Sequence, residues 1–173
     1  MKKFIALICC SVLFLTTSGQ KLNKIVSSGN QIKKLSGGFS FTEGPAADQQ
    51  GNVFFTDQPN NKIYEWTVDG KLVIFHEDGG RANGLFFDRN GNLISCSDLK
   101  NEIWSFDRLG YPTVLVSGYQ GKRLNGPNDL WIHPNGGIYF TDPLYPRSSI
   151  ETSVDRRLPA GQNSVDCLHE RNT

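Results

Sequence analysis

A glycine recurs three times in the same local setting. Gly51 follows Asp48-Gln49-Gln50 and precedes Asn52-Val53-Phe54-Phe55-Thr56-Asp57. Gly91 follows Asp88-Arg89-Asn90 and precedes Asn92-Leu93-Ile94, and Gly136 follows His133-Pro134-Asn135 and precedes Gly137-Ile138-Tyr139-Phe140-Thr141-Asp142. The three glycines lie 40 and then 45 residues apart, and Asn61-Lys62-Ile63-Tyr64-Glu65-Trp66 recurs 40 residues on as Asn101-Glu102-Ile103-Trp104-Ser105-Phe106. A unit of about 40 residues with several short strands is the mark of a β-propeller blade. Helical repeats of similar period need long 3.6-residue apolar patterns, and none follows the N-terminal apolar run. The 18 glycines, 11% aromatic residues and single methionine suit strands and tight turns. The fold class expected is therefore all-β, a propeller.

One unit reads as four antiparallel strands. Residues 44–48 and 53–57 flank the turn at Gln50-Gly51. Asn60-Asn61 is the next turn, and Lys62 to Thr67 alternate Ile63 and Glu65 against Tyr64 and Trp66. Asp69-Gly70 is a hairpin signal, leading into an outer strand from Lys71 to Phe75. The second unit repeats this pattern, with Asp107 to Tyr111 as its last turn. The third breaks off after about two strands, so two and a half to three blades are expected.

In a propeller the innermost strands line a central axis, and equivalent repeat positions reach it at one height. Glu43, Asn83 and Asn128 are equivalent by the same offsets as the glycines. Three oxygen-bearing side chains would converge at one end of the axis, and carboxylate with amide oxygens suits a hard divalent cation such as Ca²⁺. Asn-Gly and Asn-Asp are also ordinary turn formers. That alternative is weakest for Glu43, a poor turn residue followed by Gly-Pro.

The ends of the chain differ in kind from its middle. Lys2 and Lys3 precede an apolar run from Phe4 to Leu15, followed by Thr16-Thr17-Ser18-Gly19. This is the layout of a secretory signal peptide, with cleavage expected after Ser18 or Gly19 and a periplasmic or secreted location. A buried N-terminal helix, an anchor, or lipidation at Cys10 are the competing readings. The domains expected are a signal peptide (1–19), a lead-in (20–35), a partial propeller (36–150) and a polar, disordered or aberrant tail (151–173) without strand alternation. After cleavage Cys96 and Cys167 remain, and nothing in the sequence brings them together. They are expected to be unpaired.

Other chemistry is excluded by pattern. Eighteen basic and 17 acidic residues give a net charge of +1, unlike the basic excess of a nucleic-acid binder. After signal cleavage no membrane association is expected. There is no Gly-x-Ser-x-Gly elbow, no phosphate-binding Gly-x-x-x-x-Gly-Lys and no Cys-x-x-Cys. His76, His133 and His169 lack metal-ligand spacing, and His133, beside a Pro-Asn-Gly turn, is expected to be solvated. Asp88-Arg89-Asn90-Gly91-Asn92 imitates an EF-hand loop. Leu93 and Leu99 stand where that loop needs Gly and Glu, so it reads as a hairpin turn. Trp66, Trp104 and Trp131 are expected to pack blades rather than to form a sugar platform.

Phe41-Thr42-Glu43-Gly44-Pro45, Arg81-Ala82-Asn83-Gly84-Leu85, Gly121-Lys122-Arg123-Leu124-Asn125-Gly126-Pro127-Asn128-Asp129-Leu130 and Ile138-Tyr139-Phe140-Thr141-Asp142-Pro143 resemble the gluconolactonase, regucalcin and luciferin-regenerating enzyme family over roughly residues 36–146. The resemblance implies a six-bladed propeller that binds one axial divalent metal, Ca²⁺ or Zn²⁺, and hydrolyses a small-molecule lactone. Carried over by position, Glu43 matches a metal ligand and Asn128 a substrate-contacting asparagine. Asp129 follows as its neighbour, and Asn83 rests more on the repeat than on the resemblance. The family's later asparagine ligand and later aspartate, ligand and proton acceptor, find no counterparts here. Six blades of about 40 residues exceed this chain. The reading therefore expects impaired catalysis and self-association through open blade edges. A non-catalytic binding propeller and a non-functional fragment are the alternatives.

Overall fold

In the computed structural model the described residues are 29–144, together with the backbone of Asp166–Leu168. The chain divides into residues 1–35 and 36–173. Of the first unit only residues 29–35 are described, and they form no strand. The signal peptide, its cleavage point and Cys9-Cys10 fall outside the described residues.

The second unit contains the repeats. β1 (Thr42–Ala47), β2 (Val53–Asp57), β3 (Lys62–Trp66) and β4 (Leu72–His76) form one four-stranded antiparallel sheet in sequence order. β5 (Ala82–Phe87), β6 (Leu93–Ser97), β7 (Glu102–Phe106) and β8 (Pro112–Val116) form a second, built the same way. A short hairpin, β9 (Gly118–Tyr119) with β10 (Lys122–Arg123), precedes β11 (Leu130–Ile132) and β12 (Ile138–Phe140). Although the tail lacks strand alternation, β13 (Asp166–Leu168) pairs antiparallel with β12, Tyr139 opposite Cys167. Three residues are too short for an alternation pattern to stand out. The rest of the tail lies outside the described residues.

The repeating turns have one construction. Gly51, Gly91 and Gly136 have φ of 93°, 81° and 91°, a region that side chains with a Cβ avoid. Ahead of each, an acceptor side chain gathers backbone N–H groups. Asp48 accepts from the N–H of Gln50 and Asn52, and Asp88 from those of Asn90 and Asn92. The EF-hand imitation is thus a hairpin turn. In the third repeat His133 takes the aspartate's place, its Nδ1 accepting from the N–H of Asn135 at 3.1 Å. It is half-buried, with this hydrogen bond open to solvent. Between β2 and β3, and between β6 and β7, a 3₁₀ turn ends on a left-handed asparagine, Asn61 or Asn101.

Strand β6 shows how the sheets stack. All five of its residues are buried. Leu93 joins Phe54, Ile63, Ala82, Leu85, Trp104 and Phe106 in one apolar cluster, while Ile94 and Cys96 join Ile103, Leu124, Leu130 and Phe140 in another. Alternate residues of one strand thus serve two interfaces, as period-two geometry dictates. Each large apolar side chain buried this way contributes about 1.5–3 kcal/mol. Trp104 is a packing residue, as expected, whereas Trp131 is 48% exposed and lies edge-on to His133. Cys96 is unpaired. The Cys167 side chain lies outside the described residues.

Candidate functional site

The innermost strands of the two complete sheets share a distortion. The register of β1 against β2 slips between Glu43 and Ala46, and that of β5 against β6 slips between Ala82 and Leu85. These are β-bulges at equivalent positions, and bulges re-aim side chains at sheet rims. The two bulges contain Gly44 and Gly84, and both positions are closed to any larger residue. A Cβ on Gly44 would run into the carbonyl oxygen of Asn83. A Cβ on Gly84 would lie 2.6 Å from Asp129 Oδ1 and 2.9 Å from the Asn128 carbonyl oxygen. Each inner strand therefore approaches the next through a glycine.

Hydrogen bonds set these approaches. The Thr56 hydroxyl donates to the Asn83 carbonyl at 3.2 Å, and the Gly84 N–H donates to the Asn128 carbonyl at 2.7 Å. Thr141, at the repeat position of Thr56, holds the next turn. Its hydroxyl accepts from the Asp129 N–H at 3.1 Å, while the Asn128 N–H donates to the Thr141 carbonyl at 3.0 Å.

The result is a cleft of about 360 Å³ lined by Glu43, Gly44 and Pro45 of β1, Gly84, Leu85 and Phe86 of β5, and Asn128, Asp129 and Leu130. Three of the four residues singled out in the sequence are brought together: Glu43 and Asn128 are half-buried and Asp129 is exposed. Asn83 occupies the equivalent position but is 5% exposed and is not part of the lining. β5 is the middle inner strand, flanked by β1 on one side and β11 on the other. Residues there are covered from both directions.

A second set of residues, unremarked in the sequence reading, clamps the segment entering each inner strand. Fully buried Asp57 accepts from the N–H groups of Ser40 and Phe41 and from the Asn60 side chain at 2.8 Å. Asp142, the equivalent residue two repeats on, accepts from the N–H groups of Asn125 and Gly126, each at 2.8 Å. In the middle repeat Ser97 stands there and donates to the Gly79 carbonyl. The recurring Phe-Thr-Asp was the available signal. Burial alone would raise the Asp57 carboxyl. The hydrogen bonds from Phe41, Asn60 and Ser40, with the charge of Lys62, outweigh it and hold the group below its ordinary value. Burial drives the Cys96 thiol well up, and the charges of Asp129 and Asp142 add to that, so Cys96 is an unreactive packing group.

Among the described residues no three His, Cys, Asp or Glu side chains gather to hold a metal by themselves. The cleft offers two carboxylates and one side-chain amide, all oxygen donors. That donor chemistry fits a hard cation such as Ca²⁺ better than one that favours nitrogen or sulfur. Asp129 Oδ1 already accepts the N–H of Leu130 at 2.9 Å, which leaves Glu43 as the freer carboxylate.

The chain is 29% identical over 154 residues to a gluconolactonase of Zymomonas mobilis, covering 80% of this chain and 43% of that one. The solved structure of a gluconolactonase from Xanthomonas campestris superimposes with a TM-score of 0.63 at 30% identity, over 73% of this chain and 41% of that one. A streptogramin B lyase shares the fold alone, with a TM-score of 0.53 at 23% identity. The chain thus spans less than half the length of these relatives. The bulged inner strands and the cleft fall within residues 41–162, which match the family model for the SMP-30/Gluconolactonase/LRE-like region, and the chain belongs to that family.

Proposed function

We propose that the cleft beside Glu43 is part of a site for metal-dependent hydrolysis of a sugar lactone, with Ca²⁺ the preferred ion and Zn²⁺ the second choice. The observation that carries this reading is the meeting of Glu43, Asn128 and Asp129 in one cleft through two equivalent bulges. Membership in the family and the likeness to two gluconolactonases support it. A divalent cation bound there would polarise the lactone carbonyl. Glu43 supplies the anionic oxygen that holds the ion. The Asn128 amide donates a hydrogen bond to a substrate oxygen, and its orientation is set by the Gly84 and Thr141 contacts to its backbone. Asp129 adds negative charge at the rim. None of the described residues is assigned as the base that activates water. Asn83 enters this reading only as a neighbour of the cleft. A periplasmic or secreted location goes with the N-terminal layout of the sequence.

The test is proton release from δ-gluconolactone in a pH-stat, with Ca²⁺, Zn²⁺ or chelator, alongside calorimetric Ca²⁺ titration. Turnover or ion binding that depends on Ca²⁺ and is lost in Glu43→Gln is expected. Ion binding unchanged in a folded Glu43→Gln variant would favour a non-catalytic binding propeller.

A further inference from the structure

A second cleft lies at the other ends of the same inner strands. It has a volume of about 640 Å³ and opens beyond Ala47 of β1 and Phe87 of β5, where the Asp48 and Asp88 turns sit. Its apolar wall is formed by the half-buried Phe75 and Phe87, with the buried Phe54 and Leu93 behind them. Phe54 stands edge-on to Phe75 at 5.0 Å and to Phe87 at 5.1 Å, so the rings are fixed. The charged lining consists of the carboxylates of Asp48, Glu65, Asp88 and Asp107 and the guanidiniums of Arg89 and Arg108. Negative charge is therefore in excess.

These carboxylates are not equivalent. Asp48 and Asp88 are committed to their turns, and Asp107 accepts from the N–H groups of Leu109 and Tyr111. Arg108 reaches away, toward the Asn90 carbonyl beside Gly91. Glu65, the next-to-last residue of β3, is half-buried, and no hydrogen bond or ion pair satisfies its carboxylate among the described residues. Burial, and then the charge of Asp48, push its carboxyl upward, the direction that a cationic partner would reverse. An aromatic surface with one unsatisfied carboxylate is the recognition chemistry of an amine that carries an apolar body. The ammonium meets the carboxylate and the ring faces, and the body lies on the phenylalanines.

We propose that this cleft binds a small hydrophobic ammonium ion, with Glu65 as its counter-ion and Phe75 and Phe87, backed by buried Phe54, as the apolar seat. The site is separate from the Glu43 cleft and stands whether or not that cleft hydrolyses lactones.

The probe is phenethylamine, titrated into the full chain and followed by calorimetry, with 2-phenylethanol as the neutral counterpart of the same shape. The amine is expected to bind about tenfold more tightly than the alcohol, the margin of a charge-assisted hydrogen bond. Glu65→Gln is expected to erase that margin while leaving the thermal transition in place, and Glu43→Gln to leave it intact. Equal binding of amine and alcohol by the unsubstituted protein overturns the proposal, even if Glu65→Gln fails to fold. So does a margin that survives in a folded Glu65→Gln.

Discussion

Gly44 faces the carbonyl oxygen of Asn83 across the seam between the first two sheets, with no room for one further carbon atom between them. Gly44 also has a φ of 51°, so two constraints fall on one residue. Gly44→Ala should cost about 1–2 kcal/mol in backbone strain and about 1–3 kcal/mol in overpacking. Gly84→Ala lacks the first term, because its φ is not in the left-handed region, but meets Asp129 Oδ1 at 2.6 Å. Urea denaturation should therefore rank Gly44→Ala as the more damaging. Two variants with unchanged midpoints would mean that the inner strands do not approach through glycine.

Asp57 should give the protein an acid-sensitive component of stability. Its carboxyl lies below the ordinary value in the folded state, because hydrogen bonds from Phe41, Asn60 and Ser40 and the charge of Lys62 outweigh burial. The stability it confers is therefore fully present above the unfolded carboxylate value of about 4 and is lost as pH falls through the lower folded value. Asp57→Asn should cost about 1–3 kcal/mol near neutral pH. Thermal melts from pH 7 to pH 2 should then show a shallower acid loss in the variant than in the parent.

Thr141 should act as a positioning residue for Asn128 and Asp129. Thr141→Val keeps the shape and removes the acceptor for the Asp129 N–H. A stability loss of about 1 kcal/mol is expected. If the Glu43 cleft holds an ion, calorimetry should also show several-fold weaker Ca²⁺ binding, restored by Thr141→Ser. Weakened stability with unaltered Ca²⁺ affinity would assign Thr141 to folding alone.

The outer strands of the two complete sheets have open edges, and this should show in solution. β4 and β8 are edge strands with exposed apolar residues, among them Val73, Ile74 and Val114. Unpaired edges of this kind recruit other strands. Light scattering after size-exclusion chromatography should find species larger than the monomer. Val73→Lys with Val114→Lys should lower that mass, since edge lysines oppose strand pairing. A monodisperse monomer in the parent would show that these edges are harmless.

The blades themselves were legible in the sequence because their determinants are local. Gly51, Gly91 and Gly136 are required by a backbone conformation within a few residues of each, and the alternation of Ile63 with Tyr64 and Trp66 needs only strand periodicity. Strand ends moved by a residue or so, as at β4, because edge pairing decides them. Glu43 and Asn128 could be placed at one height for the same reason, since equal repeat position is a property of the sequence. Three things waited for the tertiary structure. Asn83 shares that position yet is covered, because the middle strand has a neighbour on each side and the outer ones do not. His133 replaces an aspartate acceptor, a substitution of function that residue identity hides. Gly44 and Gly84 read as ordinary motif glycines, although what excludes a side chain there is the chain of the next repeat, Asn83–Leu85 against Gly44 and Asn128–Asp129 against Gly84. Periodicity is written in the spacing of residues, whereas the gap between two sheets exists only once both have folded.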